Sequence, residues 1–179
     1  MGKEIGIRLA GSGGQGIILC SIILADAALM GGAYSAQSQS YGPEARGGAC
    51  KAEVVVSDDK IDFPKVVKSD FMLALTQTSL EKYLPGAKPG SILMVDSSLT
   101  LPDTAKEMGL EVYSLPILAA ARDTIKRPMV ANIVAAGAIN ACLKLVDLET
   151  LDKAVMNNVP AGTEELNRFA MLEGNRLIK

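Results

Sequence analysis

The 179-residue chain contains no histidine and no tryptophan, 4% aromatic residues and three cysteines. Without imidazole there is no Ser-His-Asp or Cys-His nucleophile pair, no unperturbed base near neutrality and no His-built zinc or haem site. Any proton transfer falls to carboxylates, Lys, Tyr or water. Cys20, Cys50 and Cys142 are widely spaced and odd in number, so they form neither a disulfide framework nor a C-x-x-C cluster. The expectation is that the chain binds no metal or Fe–S cluster alone and works in a reducing, cytoplasmic compartment. Charge of one sign is also lacking. Lys and Arg total 18 against 20 Asp and Glu, for a net charge of -2, and no basic run offers a footprint for nucleic acid. The longest apolar stretch, residues 17–24, is interrupted by Ser21 and soon meets Asp26, well short of the ~20 residues of a membrane span. The first residues carry no charged n-region and cleavage site. A soluble protein that is neither exported nor membrane-bound is expected.

What is present is a core. Hydrophobic residues make up 49% of the sequence, and a chain of this size buries roughly 70% of its unfolded surface without needing staples. The mean hydropathy of +0.24 is high, which points to apolar surface covered by another chain. Residues 4–10 read as a strand, followed by a glycine turn and an almost wholly apolar helix at 16–30 that Gly31 and Gly32 stop. Residues 33–40 are extended but rich in Ser and Gln, 41–48 are a Gly- and Pro-punctuated loop, and 49–57, with Val54, Val55 and Val56, form a strand. Strands at 71–76 and 91–96 flank a short helix at 78–84. A last strand at 111–115 precedes helices at 116–121, 128–146, 148–159 and 163–178, with Thr163 available as a cap and Glu164 and Glu165 suited to the positive helix end. No repeat or break in composition divides the chain. The pattern is a single doubly wound, Rossmann-like α/β domain over residues 1–179, with a mainly parallel sheet and a helical C-terminal tail.

Two segments offer chemistry. Gly11, Ser12, Gly13, Gly14, Gln15 and Gly16 contain G-x-G-x-x-G between strand and helix, where main-chain amides at a helix start can receive a phosphate or carboxylate; alternatively, the glycines simply let the strand turn into a tightly packed helix. A dinucleotide site also needs an acidic residue about 20 positions on, and residues 34–39 contain none, which disfavours NAD; no Arg there serves NADP. No Lys-Ser/Thr pair follows the glycines, which excludes a triphosphate loop. In the second segment, Tyr41, Gly42, Arg46, Gly47 and Gly48, the guanidinium can hold a carboxylate or phosphate bidentately beside glycine amides, or Arg46 fixes the loop by pairing with Glu44 or another chain. Ala131, Ala135, Ala136, Gly137, Ala138 and Ala141 give the late helix a surface for close backbone packing, with Asn132 bonded to a loop carbonyl or touching a ligand. Lys126 and Arg127 form either a solvated pair or charge for an anion site. Cys50 reads as packing.

These stretches, residues 5–32, SQSYGPEARGGACKAEVVVSDDKIDFPKV from Ser38, KSDFMLALTQ from Lys68, VDSSL around Asp96 and RPMVANIVAAGAINACL from Arg127, resemble the gamma subunit of the 2-oxoacid:ferredoxin oxidoreductases. The resemblance covers nearly the whole chain and is greatest for the 2-oxoglutarate branch; pyruvate, branched-chain oxoacid and indolepyruvate relatives share the pattern. It implies a fold like domain III of pyruvate:ferredoxin oxidoreductase. It also implies an assembly with alpha, beta and ferredoxin-like delta subunits, in which companions carry thiamine diphosphate, Mg²⁺ and Fe–S clusters, form succinyl-coenzyme A and CO₂ from 2-oxoglutarate, and reduce ferredoxin. No catalytic residue falls on this chain. By position, the glycine turn and the 41–48 loop are where a phosphate-bearing ligand such as coenzyme A would touch it. Two rival readings remain: a self-sufficient binding protein for a phosphate ligand, and a purely structural subunit. A homodimer of the isolated chain is also compatible.

Overall fold

The computed structural model describes residues 3–40 and 48–178. Six strands form one sheet, β1 (Glu4–Ser12), β2 (Tyr34–Gln39), β3 (Ala49–Ser57), β4 (Ser69–Ala74), β5 (Ala87–Asp96) and β6 (Glu111–Leu115), in the order β2-β3-β1-β4-β5-β6. The pairs β1–β4, β4–β5 and β5–β6 are parallel. β3 alone runs against the rest, paired antiparallel to both β1 and β2. Apolar residues lie on alternate positions of the central strands, so each face of the sheet gathers its own core. Ile7, Leu9, Phe71, Leu73 and Met94 point to one cluster, and Ala10, Met72, Ala74, Leu93 and Val95 to the other.

The first cluster is covered by α1 (Ile17–Met30), α5 (Ala131–Leu143), α6 (Leu148–Asn158) and α7 (Glu164–Arg176). The second lies under α2 (Gln77–Tyr83) and α3 (Asp103–Glu107), with Leu80 and Ala105 inserted. The sheet is therefore wound on both sides, and the helical C-terminal segment forms part of the core: Leu151, Ala154, Val155 and Ala170 are fully buried. The tight fit of α5 to α7 depends on glycine. A Cβ on Gly174 would collide with the Val134 carbonyl oxygen, and one on Gly137 with that of Met171.

Several expectations shift in detail. α2 begins one residue earlier, because the Thr76 hydroxyl accepts from the Ser79 amide and so caps it. α3, between Pro102 and Gly109, is absent from the sequence reading. The helix expected at 128–146 is a 3-10 turn, Pro128–Val130, followed by α5, which stops where Lys144 turns left-handed at φ 53. Helicity from residue 116 resolves into one α-turn, α4 (Ile117–Ala119), and one π-turn, Ala120–Thr124. Thr163 stands at the N-cap position just before α7, but its side chain makes no cap hydrogen bond. Its hydroxyl instead donates to the Pro160 carbonyl at 2.6 Å and accepts from the Asn167 side chain at 2.9 Å.

Candidate functional site at the sheet's carboxyl edge

In an open α/β sheet, ligands sit beyond the carboxyl ends of the strands where the winding direction reverses. Here that point lies between β1 and β4, whose ends are joined by the Leu75 amide donating to the Ala10 carbonyl at 3.0 Å. The glycine turn occupies this edge. Gly16 is left-handed at φ 71, a conformation that costs other residues about 1–2 kcal/mol, and the Asn132 side chain fills the place of a Cβ, 2.5 Å from its ideal position. Asn132, 5% exposed, donates from Nδ2 to the Gly16 carbonyl at 3.4 Å, the loop contact anticipated for it. Within the turn, the Ser12 amide donates to Gln15 Oε1 at 2.8 Å. The side-chain amides of Gln15 and Asn132 thus brace the turn from inside and from α5. α1 has no side-chain cap and no acidic residue in its first turn, so its positive end is not neutralised by the helix itself.

A groove of about 400 Å³ lies over the turn, lined by Gly14, Gln15, Leu118, Arg122, Pro128, Met129 and Ala131. Met129 is 87% exposed. Arg122 binds Asp123 through two hydrogen bonds of 2.7 Å, and that carboxylate raises the guanidinium pKa. The wall carrying Leu118 is pinned by Asp96. This buried residue at the end of β5 accepts from the Leu118 amide at 2.8 Å through one oxygen and from the Ser98 amide and hydroxyl through the other. Beyond the π-turn, Lys126 takes φ 61 and the Arg127 amide reaches the Ala121 carbonyl at 2.9 Å. Arg122, Leu118 and Met129 escaped the sequence reading because nothing in spacing relates them to glycines about a hundred positions earlier. Lys126 and Arg127 are exposed, and Arg127 donates to the Lys126 carbonyl rather than to a carboxylate.

Of the second predicted segment, Tyr41, Gly42, Arg46 and Gly47 lie outside the described residues. Gly48 is half-buried, and Ala49, next in the chain, pairs directly with Ser12, as Cys50 does with Gly11. The end of the loop and the start of the glycine turn therefore leave the sheet side by side. The insertion of antiparallel β3 also removes β2 from the place beside β1 where a dinucleotide ribose would be held, which adds a topological reason to the missing acidic residue.

The cysteines do not offer a cluster site. Burial pushes the Cys20 thiol up to about 12 and raises those of Cys50 and Cys142, which favours the inert thiol over the thiolate that binds metal. Among the described residues no three His, Cys, Asp or Glu side chains converge to hold a metal ion. Nor, among these residues, is any helix long and apolar enough to cross a membrane.

The fold and its edge define a class before any finer assignment. The chain belongs to the pyruvate ferredoxin/flavodoxin oxidoreductase family, whose model matches residues 6–177, as a gamma-type oxidoreductase subunit. A solved structure of the keto/oxoacid ferredoxin oxidoreductase gamma subunit from Geobacter sulfurreducens superposes with a TM-score of 0.88 at 41% identity, covering 98% of this chain and 97% of that one. More particularly, the chain is 46% identical over its full length to the 2-oxoglutarate synthase subunit KorC of Methanocaldococcus jannaschii, of which it covers 95%. Against the pyruvate synthase subunit PorC of the same organism identity falls to 27%, over 98% of each chain.

Proposed function

We propose that this protein is the gamma subunit of an oxidoreductase that converts 2-oxoglutarate and coenzyme A to succinyl-coenzyme A and CO₂ while reducing ferredoxin. The observation that carries the substrate is the contrast between 46% and 27% identity to two subunits of one organism. Thiamine diphosphate, Mg²⁺ and Fe–S clusters belong to companion subunits in this reading, and supply decarboxylation and electron transfer there. Residues 1–179 act as one domain in the cytoplasm, assembled with alpha, beta and ferredoxin-like delta chains.

The contribution of this chain is position. Gly11, Ser12, Gly13, Gly14, Gln15 and Gly16, together with Tyr41, Gly42, Arg46, Gly47 and Gly48, form one wall of the cleft that receives coenzyme A. Support comes from the shared exit of both segments at Ser12 and Ala49, the uncapped start of α1 and the groove over Gly14 and Gln15. Main-chain amides and the Arg46 guanidinium orient the phosphate-bearing part of the ligand, while Leu118 and Met129 exclude water. Aligning a thiol for attack removes orientational entropy from the barrier without any bond to this subunit.

The test is reconstitution. Arg46→Ala should lower coenzyme A-dependent turnover about tenfold or more, the scale of one lost charge-assisted contact, and spare decarboxylation by the companion subunits. Unchanged turnover and unchanged subunit retention would remove the loop from the site. Isothermal titration with coenzyme A should give feeble binding to the lone chain and recovery in the complex; tight binding to the lone chain would favour a self-sufficient binding protein.

A further inference from the structure

The groove over the glycine turn has a second wall, and one buried acid stands behind it. Asp96, at the end of β5, is 2% exposed and forms no ion pair among the described residues. A buried carboxylate without a cation is unfavourable unless hydrogen-bond donors surround it. Here they do. Ser98 gives Oδ1 its amide at 3.0 Å and its hydroxyl at 2.6 Å, and Leu118 gives Oδ2 its amide at 2.8 Å. An ionised carboxylate accepts on both oxygens, whereas an asparagine would turn its own N–H groups toward one of these donors. The charge is needed for the geometry.

The Leu118 amide belongs to the first turn of a helical segment that cannot cap itself. Pro116 holds the N-cap position and makes no side-chain cap bond, so the orphan amide is served from β5 instead. From there the chain passes through the π-turn, where the Ile125 amide reaches the Ala120 carbonyl at 3.0 Å, and through Lys126 at φ 61 before it arrives at Met129. π-turns and left-handed non-glycine residues gather at functional sites, where surrounding structure must hold them in place. Ile117, Ala121 and Ile125 sink into the core, while Leu118, Arg122 and Met129 line the groove opposite Gly14 and Gln15. Among the described residues, Asp96 is the one side chain from elsewhere in the fold that hydrogen-bonds within 117–130. Its charge also reaches Arg122, whose guanidinium pKa is raised by the hydrogen-bonded Asp123 and, at longer range, by Asp96.

We propose that Asp96 is a positioning residue for coenzyme A: by holding the Leu118 amide it sets the register of residues 117–129 and so the width of the groove facing the glycine turn. The inference rests on the placing of coenzyme A in this cleft, and it names a residue that governs affinity without touching the ligand.

Kinetics of the assembled enzyme and hydrogen exchange of the isolated chain test it together. Asp96→Asn should raise KM for coenzyme A about tenfold, the scale of a contact surface displaced by a fraction of an ångström, and leave KM for 2-oxoglutarate and turnover at saturating coenzyme A unchanged. Asp96→Glu, which keeps the charge but is one methylene longer, should raise KM by less, and it supplies the test if the asparagine variant assembles poorly. Leu118→Ala should raise KM as well, and combining it with Asp96→Asn should be non-additive, since one residue acts through the other. In the isolated chain, Asp96→Asn should accelerate hydrogen exchange over residues 116–127 and leave β1 and α1 protected. Asn140→Ala controls for stability alone. Asn140, 3% exposed, holds Val146 through both its side-chain amide atoms, away from the groove, and its loss should lower the melting temperature without moving KM. Wild-type KM for coenzyme A in both Asp96 variants, beside a raised value in Leu118→Ala, would overturn the proposal alone. So would an equal rise in Asn140→Ala, because general loosening would then be the cause. Wild-type KM in Leu118→Ala and Arg46→Ala as well would overturn the placing of coenzyme A, and the proposal with it.

Discussion

The two sides of the sheet solve the same physical problem differently. Under α1, α5, α6 and α7 the layer is continuous and apolar, and α5 and α7 approach until only glycine fits between them. On the other side the apolar core takes in Ala10 of β1, while β1 and β3 also carry Arg8, Glu53 and Lys51, with the Arg8 guanidinium bonded to the Val66 carbonyl of an irregular segment. Dense packing is gained through many weak contacts and tolerates almost no added volume. A buried ion pair contributes little net stability yet becomes costly when half of it is removed. The first side is closed by apolar contact alone, whereas the second includes a buried ion network in its closure.

Substitutions on each side should therefore fail for different reasons. Gly174→Val should have the largest effect, destabilising by about 4 kcal/mol or more because the collision is with backbone rather than a movable side chain; urea unfolding would measure it, and a loss under about 1 kcal/mol would contradict the packing described. Glu53→Ala should cost about 3–5 kcal/mol by leaving Arg8 buried without its carboxylate. Replacing both partners with Arg8→Met and Glu53→Leu should recover most of that loss, a reversal the glycine contact cannot show. At the sheet's carboxyl edge, Gly16→Ala should destabilise by about 1–2 kcal/mol from its left-handed backbone, plus the displacement of Asn132. Adding Asn132→Ala should remove that second part, so the double-mutant cycle is non-additive.

The smallest effect concerns pH. Asp147 accepts from the Thr150 amide at 2.7 Å, and this bond holds its carboxyl below the usual carboxylate range. Its contribution to stability is present above the unfolded pKa of about 4 and is lost as pH falls through the lowered folded value. Asp147→Asn retains an acceptor without the titrating proton. Thermal melts should therefore show a shallower acid limb for the variant, and identical limbs would contradict the assignment.

Local pattern made much of this architecture readable. β3 and β6 occupy the expected residues, 49–57 and 111–115, because short β-rich runs bounded by turns leave little choice of limits. α1 is as apolar all round as its sequence suggests because it lies between the sheet and α5 and α6. What was hidden depended on pairing. The antiparallel insertion of β3 between β2 and β1 is a matter of strand pairing, which local composition does not encode. Arg8 and Glu53 meet only once β1 and β3 are adjacent, and Asp96 acquires its role only when Leu118 is folded back onto β5. α3 was missed because five residues between Pro102 and Gly109 are too few to display a helical period. At the candidate site, the glycine turn was visible as a motif, whereas the Arg122 and Met129 wall came from tertiary structure.

The central claim is that this chain shapes a reaction performed on companions. The most direct measurement is the rate of 2-oxoglutarate- and coenzyme A-dependent ferredoxin reduction by the companion subunits with and without this chain, alongside the chain alone. The account predicts no turnover from the lone chain and full coenzyme A-dependent turnover only when it is added. Oxidation of 2-oxoglutarate by the isolated chain, or companions that work equally well without it, would contradict the account.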